Sequence, residues 1–167
     1  VNPGATFGGN GTVGTIFLDG GEVAPGNSAG TLTAENLYWD SGTLLFDLGA
    51  DQAASDFLDV GGLQGFGSTY AFTFVDNGWV VGTTYNLIGY ELSDIAVGNF
   101  TFTNGGEFDG EFFYQADTLK FTLTAIPEPT TVGLLLLVAA AVLVLRSRAA
   151  SMPDSPLPRD SISDSIS

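Results

Sequence analysis

The sequence predicts an all-β domain over residues 1–125, followed by a single C-terminal transmembrane helix. Two patterns support the β assignment: short segments alternate apolar and polar side chains, and clusters rich in glycine, asparagine and aspartate separate them. No segment before residue 130 has the 3.6-residue apolar period of an amphipathic helix. Residues 132–145, in contrast, form a continuous apolar run without a charge.

The alternating segments are predicted to be strands that bury one face. The clearest is TLKFTLTA, in which Leu119, Phe121 and Leu123 share one face and the threonines and Lys120 share the other. The other candidates are residues 12–18, 31–34, 42–49, 57–60, 69–74, 83–88, 100–103 and 110–114. Turn sequences lie between them, at Asp19-Gly20-Gly21, Pro25-Gly26-Asn27, Asp76-Asn77-Gly78 and Asn104-Gly105-Gly106.

A short Gly-Thr repeat leaves two architectures open. VGTI (13–16), AGTL (29–32), SGTL (41–44) and VGTT (81–84) each place Gly-Thr at the entry to a strand, at unequal spacing. Successive turns of a β-solenoid produce such a pattern, with glycine at the corners. A β-sandwich or jelly roll whose strands begin alike is the alternative.

The C-terminal region changes character at Pro127 and Pro129, which cannot donate to a sheet and should end the last strand. The fourteen apolar residues 132–145 make a helix of roughly 21 Å, and the preceding threonines and the stems of Arg146 and Arg148 extend it to a marginal membrane span. Because arginines stay on the cytoplasmic side, residues 1–125 are predicted to lie outside. Residues 149–167 are rich in Ser, Pro and Asp and are predicted to be disordered.

Charge and residue inventory exclude several function classes. Residues 1–125 contain fifteen Asp and Glu against Lys120 alone, so phosphate backbones would be repelled and no nucleic-acid partner is expected. The chain has no histidine and no cysteine, which rules out Ser–His and Cys–His catalysis, His-ligated zinc and disulfides. The chain begins at Val1 without a secretory leader, so we expect the domain to be truncated at its N-terminus.

Residues 126–148 resemble a PEP-CTERM sorting signal. The resemblance lies in Ile126-Pro127-Glu128-Pro129, the apolar run and the arginines, in that order. In that family a membrane-embedded exosortase reads the Pro-Glu-Pro element and is believed to cleave near it, which would give that role to Pro127, Glu128 and Pro129. The resemblance thus implies an exosortase partner, and Arg146 and Arg148 as the anchor that sets membrane topology.

Residues 22 to about 90 resemble an autotransporter-type passenger segment. EVAPGNSAGTLTAENLYWDSGTLLFDLGA and the later SDFLDVGG are similar to its turn-and-strand pattern, in which an APGNSPGTL-like turn leads into β-solenoid rungs. The resemblance implies a surface or matrix scaffold and no catalysis.

Carboxylates are the remaining candidates for metal binding or catalysis. Asp47, Asp51, Asp56 and Asp59 crowd one stretch and form a weak calcium candidate, because they lack the D-x-D-x-D-G order of a calcium loop. No other cofactor is expected. A glycosidase would need two carboxylates flanking a sugar ring, and a solvated acidic face is the simpler interpretation.

Aromatic side chains are the candidates for sugar binding. Trp39 and Trp79 are the main stacking candidates, with Tyr38 among the others, and Trp79 follows a turn and should be the most exposed. The expected function is therefore that of a non-enzymatic exported protein of the cell surface or extracellular matrix, which associates with the membrane before processing and with exopolysaccharide afterwards. A secreted carbohydrate-binding or carbohydrate-cleaving module with the same tail is the alternative.

Overall fold

The computed structural model describes residues 1–27, 29–104 and 108–126. These residues form eleven strands and two short 3₁₀ turns, at Gln52–Ala54 and Val97–Asn99. The strands are β1 Thr6–Gly9, β2 Gly11–Leu18, β3 Glu22–Pro25, β4 Thr31–Trp39, β5 Thr43–Leu48, β6 Phe57–Gly65, β7 Tyr70–Asp76, β8 Thr84–Ser93, β9 Phe100–Phe102, β10 Asp109–Tyr114 and β11 Thr118–Ala125. The prediction of an all-β domain is confirmed.

The strands form two sheets, and successive strands from β1 to β10 alternate between them. Sheet A has the order β1-β3-β5-β7-β9, and sheet B has the order β10-β11-β8-β6-β4-β2. From β1 to β7 every strand pairs in parallel with the strand two positions further along the chain, so the parallel stack extends to β9. Two successive strands, one in each sheet, therefore make one circuit of the chain. We call this circuit a coil.

The register stacks similar side chains from coil to coil, and this builds the core. In sheet B, Leu32 pairs with Leu58, and Leu58 pairs with Ile88. In sheet A, Leu44 pairs with Phe72 and Phe46 with Phe74. All of these side chains are buried, so apolar rows run along the stack between the two sheets. The alternating residues of β5, β7 and β11 face inward as their sequence pattern predicts.

A hairpin of β10 and β11 closes the stack after β9. β11 runs antiparallel to β8, and β10 runs antiparallel to β11. The ring of Phe112 lies 5.1 Å from the rings of both Phe72 and Phe121, centroid to centroid, and so covers the end of the core. The Phe121 ring also lies directly against Gly110, where a Cβ atom would overlap it, so this position of β10 requires glycine.

The N-terminal strands differ from the sequence-based expectation. Pro25 was expected in a turn, but β3 includes it, because Glu22–Pro25 pairs in parallel with β1 along its whole length. Proline is compatible with this position at the very end of the strand. Gly26 follows with a φ of +87° and turns the chain toward β4.

Candidate functional site

The residues proposed for sorting lie outside the described part of the chain. These are Pro127, Glu128, Pro129, Arg146 and Arg148, together with the apolar run at 132–145 and the tail at 149–167. Within the described residues, no helix has the length and apolarity that crossing a membrane requires. The sorting signal and its membrane helix therefore stay predictions from sequence.

Trp39 is a core residue, which corrects its assignment as a candidate for sugar stacking. Its side chain is 0 % exposed, and its ring lies 5.1 Å from that of Tyr70 and 5.6 Å from that of Phe72. Its indole N–H points to the carbonyl oxygen of Gly42 at 3.4 Å. A sugar cannot reach this ring while the domain is folded.

A break in the alternation of β4 explains why Trp39 faces inward. Simple alternation from Leu32 and Ala34 would place Tyr38 inside and Trp39 outside. Pairing in sheet B, however, skips one residue at the same level in each of four strands, and burial in β2 and β4 changes phase at that point. The skipped residues, which we call the skipped column, are Gly14, Glu35, Gly61 and Glu91. The register is the same on both sides of the column, so neighbouring strands change phase together and their inward residues stay aligned.

Trp79 is half-buried, so it is less exposed than its position after a turn suggested. Its ring packs edge-on against Phe108, with centroids 4.7 Å apart. The turn itself forms as predicted, since the Asp76 carboxylate accepts hydrogen bonds from the backbone N–H groups of Gly78 at 2.8 Å and Trp79 at 3.1 Å. Trp79 thus serves mainly to extend the aromatic end of the core.

The four aspartates proposed for calcium do not converge. Asp51 caps the short 3₁₀ turn by accepting a hydrogen bond from Ala54 N–H at 3.1 Å, and Asp59 projects from the outer face of sheet B. No group of three or more acidic side chains in the described ranges is placed to hold a metal ion. The prediction that these four aspartates bind calcium is corrected accordingly. Asp47 and Asp56 are instead joined by a hydrogen bond from the backbone N–H of Asp47 to the Asp56 carboxylate.

Asp56 is a buried carboxylate that ties two coils together. Its side chain is only 3 % exposed. One carboxylate oxygen accepts a hydrogen bond from Gly30 N–H at 3.1 Å and the other from Asp47 N–H at 2.9 Å. Gly30 ends the turn before β4, whereas Asp47 belongs to β5 of the next coil. The two sequence segments that resemble a passenger domain, APGNSAGTL and SDFLDV, are therefore linked physically at this corner.

Burial raises the pKa of Asp56 to about 6, although its hydrogen bond from Asp47 N–H acts in the opposite direction. A carboxyl group with a raised pKa in the folded state favours folding most when it is neutral. Its contribution is full below about pH 4 and is lost as the pH rises to about 6. We therefore expect the unfolding free energy of the wild type to fall over this window more steeply than that of Asp56→Asn. Urea unfolding at pH 4, 5, 6 and 7 measures both slopes, and equal slopes would contradict this assignment.

An acidic groove of about 740 Å³ crosses the outer face of sheet B. Its lining includes the carboxylates of Glu35, Asp59, Glu91 and Asp117, and Gly61 forms part of its floor. A Cβ atom at Gly61 would lie 2.7 Å from the carbonyl oxygen of Glu35, so this position has room for glycine only. These carboxylates lie on the opposite face of the sheet from Trp39. The groove and the buried Trp39 therefore do not form one site.

Three aromatic side chains line up on the surface of sheet B, and sequence reasoning identified only one of them. The ring of Phe17 lies 5.0 Å from that of Tyr38, and Tyr38 lies 5.9 Å from Phe66. Phe17 is 62 % exposed and Phe66 66 % exposed, on either side of the half-buried Tyr38. We call these residues the aromatic strip. An alignment of Ile16-Phe17-Leu18-Asp19 with Leu37-Tyr38-Trp39-Asp40 would have revealed Phe17.

The sequence matches no model of a known protein family, and comparison with curated proteins gives no significant match. Function is therefore inferred from the residue pattern of the tail, the pairing of the strands and the surfaces described above.

Proposed function

We propose that this chain is an exported, non-enzymatic protein of the cell surface or extracellular matrix, built as a β-solenoid and processed through a PEP-CTERM sorting signal. The observation that carries the proposal is the order of three parts in one short stretch: Pro127-Glu128-Pro129, an uncharged apolar run, and Arg146 with Arg148. A polar recognition element, an apolar stop and a positive anchor are the parts that a removable C-terminal signal needs.

The strand order supports a solenoid rather than an ordinary sandwich. Antiparallel hairpins and Greek keys are typical of β-sandwiches, whereas every pair formed among β1 to β9 is parallel, and these strands alternate between the two sheets. Each coil buries its apolar face against its neighbours, which is how repeat proteins obtain a continuous core. Such a stack of coils suits a scaffold of the cell surface or matrix.

A non-enzymatic role is consistent with the available chemistry. The sequence lacks histidine and cysteine, which excludes Ser–His and Cys–His catalysis. Catalysis by paired carboxylates would require two of them to flank a bound sugar.

The proposed route determines where the protein is found. The apolar helix holds the new chain in the inner membrane with its arginines in the cytoplasm and the β domain outside. Exosortase then reads Pro127-Glu128-Pro129, and the domain passes to the cell surface or the matrix.

Replacement of Pro127, Glu128 and Pro129 with alanine tests the sorting role. We expect the variant to accumulate in the inner membrane of an exosortase-positive host, because the recognition element is gone while the membrane helix is intact. Fractionation and immunoblotting measure the distribution, and sequencing of the mature C-terminus locates the cleavage. A matched control replaces Pro153, Pro156 and Pro158, three prolines beyond the arginines. Normal surface release of the Pro-Glu-Pro variant would refute the sorting role.

A secreted carbohydrate-binding module with the same tail is the second candidate. One observation favours carbohydrate binding, namely the aromatic strip of Phe17, Tyr38 and Phe66 on the surface.

A further inference from the structure

The aromatic strip is held in place by strand pairing. Phe17 of β2 pairs directly with Tyr38 of β4 in parallel register, and Phe66 follows β6 one coil further. The N–H of Phe66 donates to the carbonyl oxygen of Trp39 at 2.8 Å, which fixes the backbone where β6 ends. Because neighbouring parallel strands lie about 4.8 Å apart, the outer rings are separated by roughly 10 Å. The strip is thus a preformed surface on a rigid sheet.

The strip is a contiguous apolar surface, unlike the exposed Leu92. Leu92 is 75 % exposed on the same face of sheet B, but its strand neighbour in β6 is Gly62. Single exposed apolar side chains are ordinary in folded proteins. A row of touching rings at the surface is a feature of binding sites.

Polar groups border the strip on both sides. Asp19 and Asp40 share with the three rings a surface hollow of about 410 Å³, and the Ser41 hydroxyl donates to the Asp19 carboxylate at 3.3 Å. On the other side, the Asn36 amide donates to the Thr15 hydroxyl at 3.4 Å. The surface therefore combines ring faces for stacking with oxygen atoms that accept hydrogen bonds from hydroxyl groups.

This combination selects among the possible partners. An apolar protein surface or a lipid would have to desolvate the carboxylates of Asp19 and Asp40 without offering them hydrogen-bond donors. Anionic polymers would be repelled by a domain with fifteen acidic residues and one lysine in residues 1–125. A sugar chain supplies both C–H faces for the rings and hydroxyl donors for the carboxylates.

We propose that the aromatic strip of Phe17, Tyr38 and Phe66 binds an uncharged polysaccharide, with Asp19 and Asp40 accepting hydrogen bonds from its hydroxyl groups. This inference identifies a partner for the proposed matrix protein, but the site does not involve the sorting signal. Binding and sorting therefore fail or succeed independently.

The test measures retention of the full-length chain on insoluble polysaccharides, in a detergent without a sugar headgroup. The probes are cellulose, curdlan, insoluble xylan and cross-linked dextran, which are uncharged and differ in linkage. We expect saturable retention on at least one of them. Phe17→Ala and Phe66→Ala should each weaken it about tenfold, because each removes one stacking ring. Phe17→Tyr and Phe66→Tyr should stay within about threefold of the wild type, since both keep a ring.

Leu92→Ala is the matched control, because it removes an exposed apolar side chain from the same sheet without touching the strip. It should bind as the wild type does. Absence of retention on all four probes, or wild-type retention by both alanine variants, overturns the proposal. A second outcome also overturns the proposal. If no probe retains the chain, and sedimentation velocity shows a concentration-dependent dimer that both alanine variants abolish, the strip contacts a second copy of the chain instead of a polysaccharide. The variant in which Pro127, Glu128 and Pro129 are replaced with alanine should be retained as the wild type is. Its retention would show that polysaccharide binding does not depend on the sorting signal, so a failure of binding and a failure of sorting can be distinguished.

Discussion

Trp39→Ala is expected to lower the unfolding free energy by about 3–5 kcal/mol, the range measured for removal of a large buried aromatic side chain. Trp39 is fully buried, and its ring contacts Tyr70 and Phe72 across the space between the two sheets. Alanine leaves a cavity that parallel strands on both sides can fill only in part. The loss of the indole also removes a hydrogen bond to Gly42.

Urea unfolding of the full-length chain, followed by far-ultraviolet circular dichroism, measures this effect. Phe17→Ala is the matched control, because it removes an exposed ring from the neighbouring strand and should change stability by no more than about 0.5 kcal/mol. If Trp39→Ala left stability unchanged but abolished polysaccharide retention, Trp39 would be a binding residue after all, and the inward phase of β4 would be wrong.

Asp56→Ala is expected to lower the unfolding free energy by about 2–4 kcal/mol. The backbone N–H groups of Gly30 and Asp47 both donate to the Asp56 carboxylate, and the substitution removes this acceptor. An unsatisfied buried donor costs about 1–3 kcal/mol. Relief of the desolvated carboxylate offsets part of this cost. The two donors belong to different coils, so the loss should loosen the corner that joins them.

Two further variants distinguish the role of Asp56 from a general charge effect. Asp56→Asn should destabilise less than Asp56→Ala, because the amide oxygen accepts one of the two hydrogen bonds and the amide nitrogen cannot accept the other. Asp59→Ala removes an exposed acidic side chain nearby and should have little effect. Equal stability of Asp56→Ala and Asp59→Ala would show that the buried carboxylate is not a structural link.

The two stability predictions concern residues that sequence reasoning had assigned to binding. Trp39 was a sugar-stacking candidate and Asp56 a calcium candidate, because tryptophan and clustered aspartates are common in such sites. Both lie inside the domain, where one fills the core and the other satisfies backbone donors. The surface best suited to a ligand consists mainly of Phe17 and Phe66, which were not among the residues singled out for sugar binding.

Local patterns in the sequence were sufficient for the all-β fold and for several core faces. Alternation identified the inward residues of β5, β7 and β11. Successive side chains of a regular strand point to opposite faces, so the apolar set within one strand shows which face is buried. The Asp76-Asn77-Gly78 turn was recognised for the same reason, since Asp76 bonds to backbone groups within three residues. The absence of histidine and cysteine restricted the chemistry directly.

Features that depend on neighbouring coils emerged only from the three-dimensional arrangement. At the skipped column of Gly14, Glu35, Gly61 and Glu91 the alternation changes phase, so that Trp39 is buried and Phe17 is exposed. The parallel register that aligns this column cannot be read from one strand, because it is a property of pairing between segments far apart in the chain. The partners of Asp56 and the alignment of Phe17 with Tyr38 follow from the same register, which is why sequence patterns predicted the strands but only their stacking defined the site.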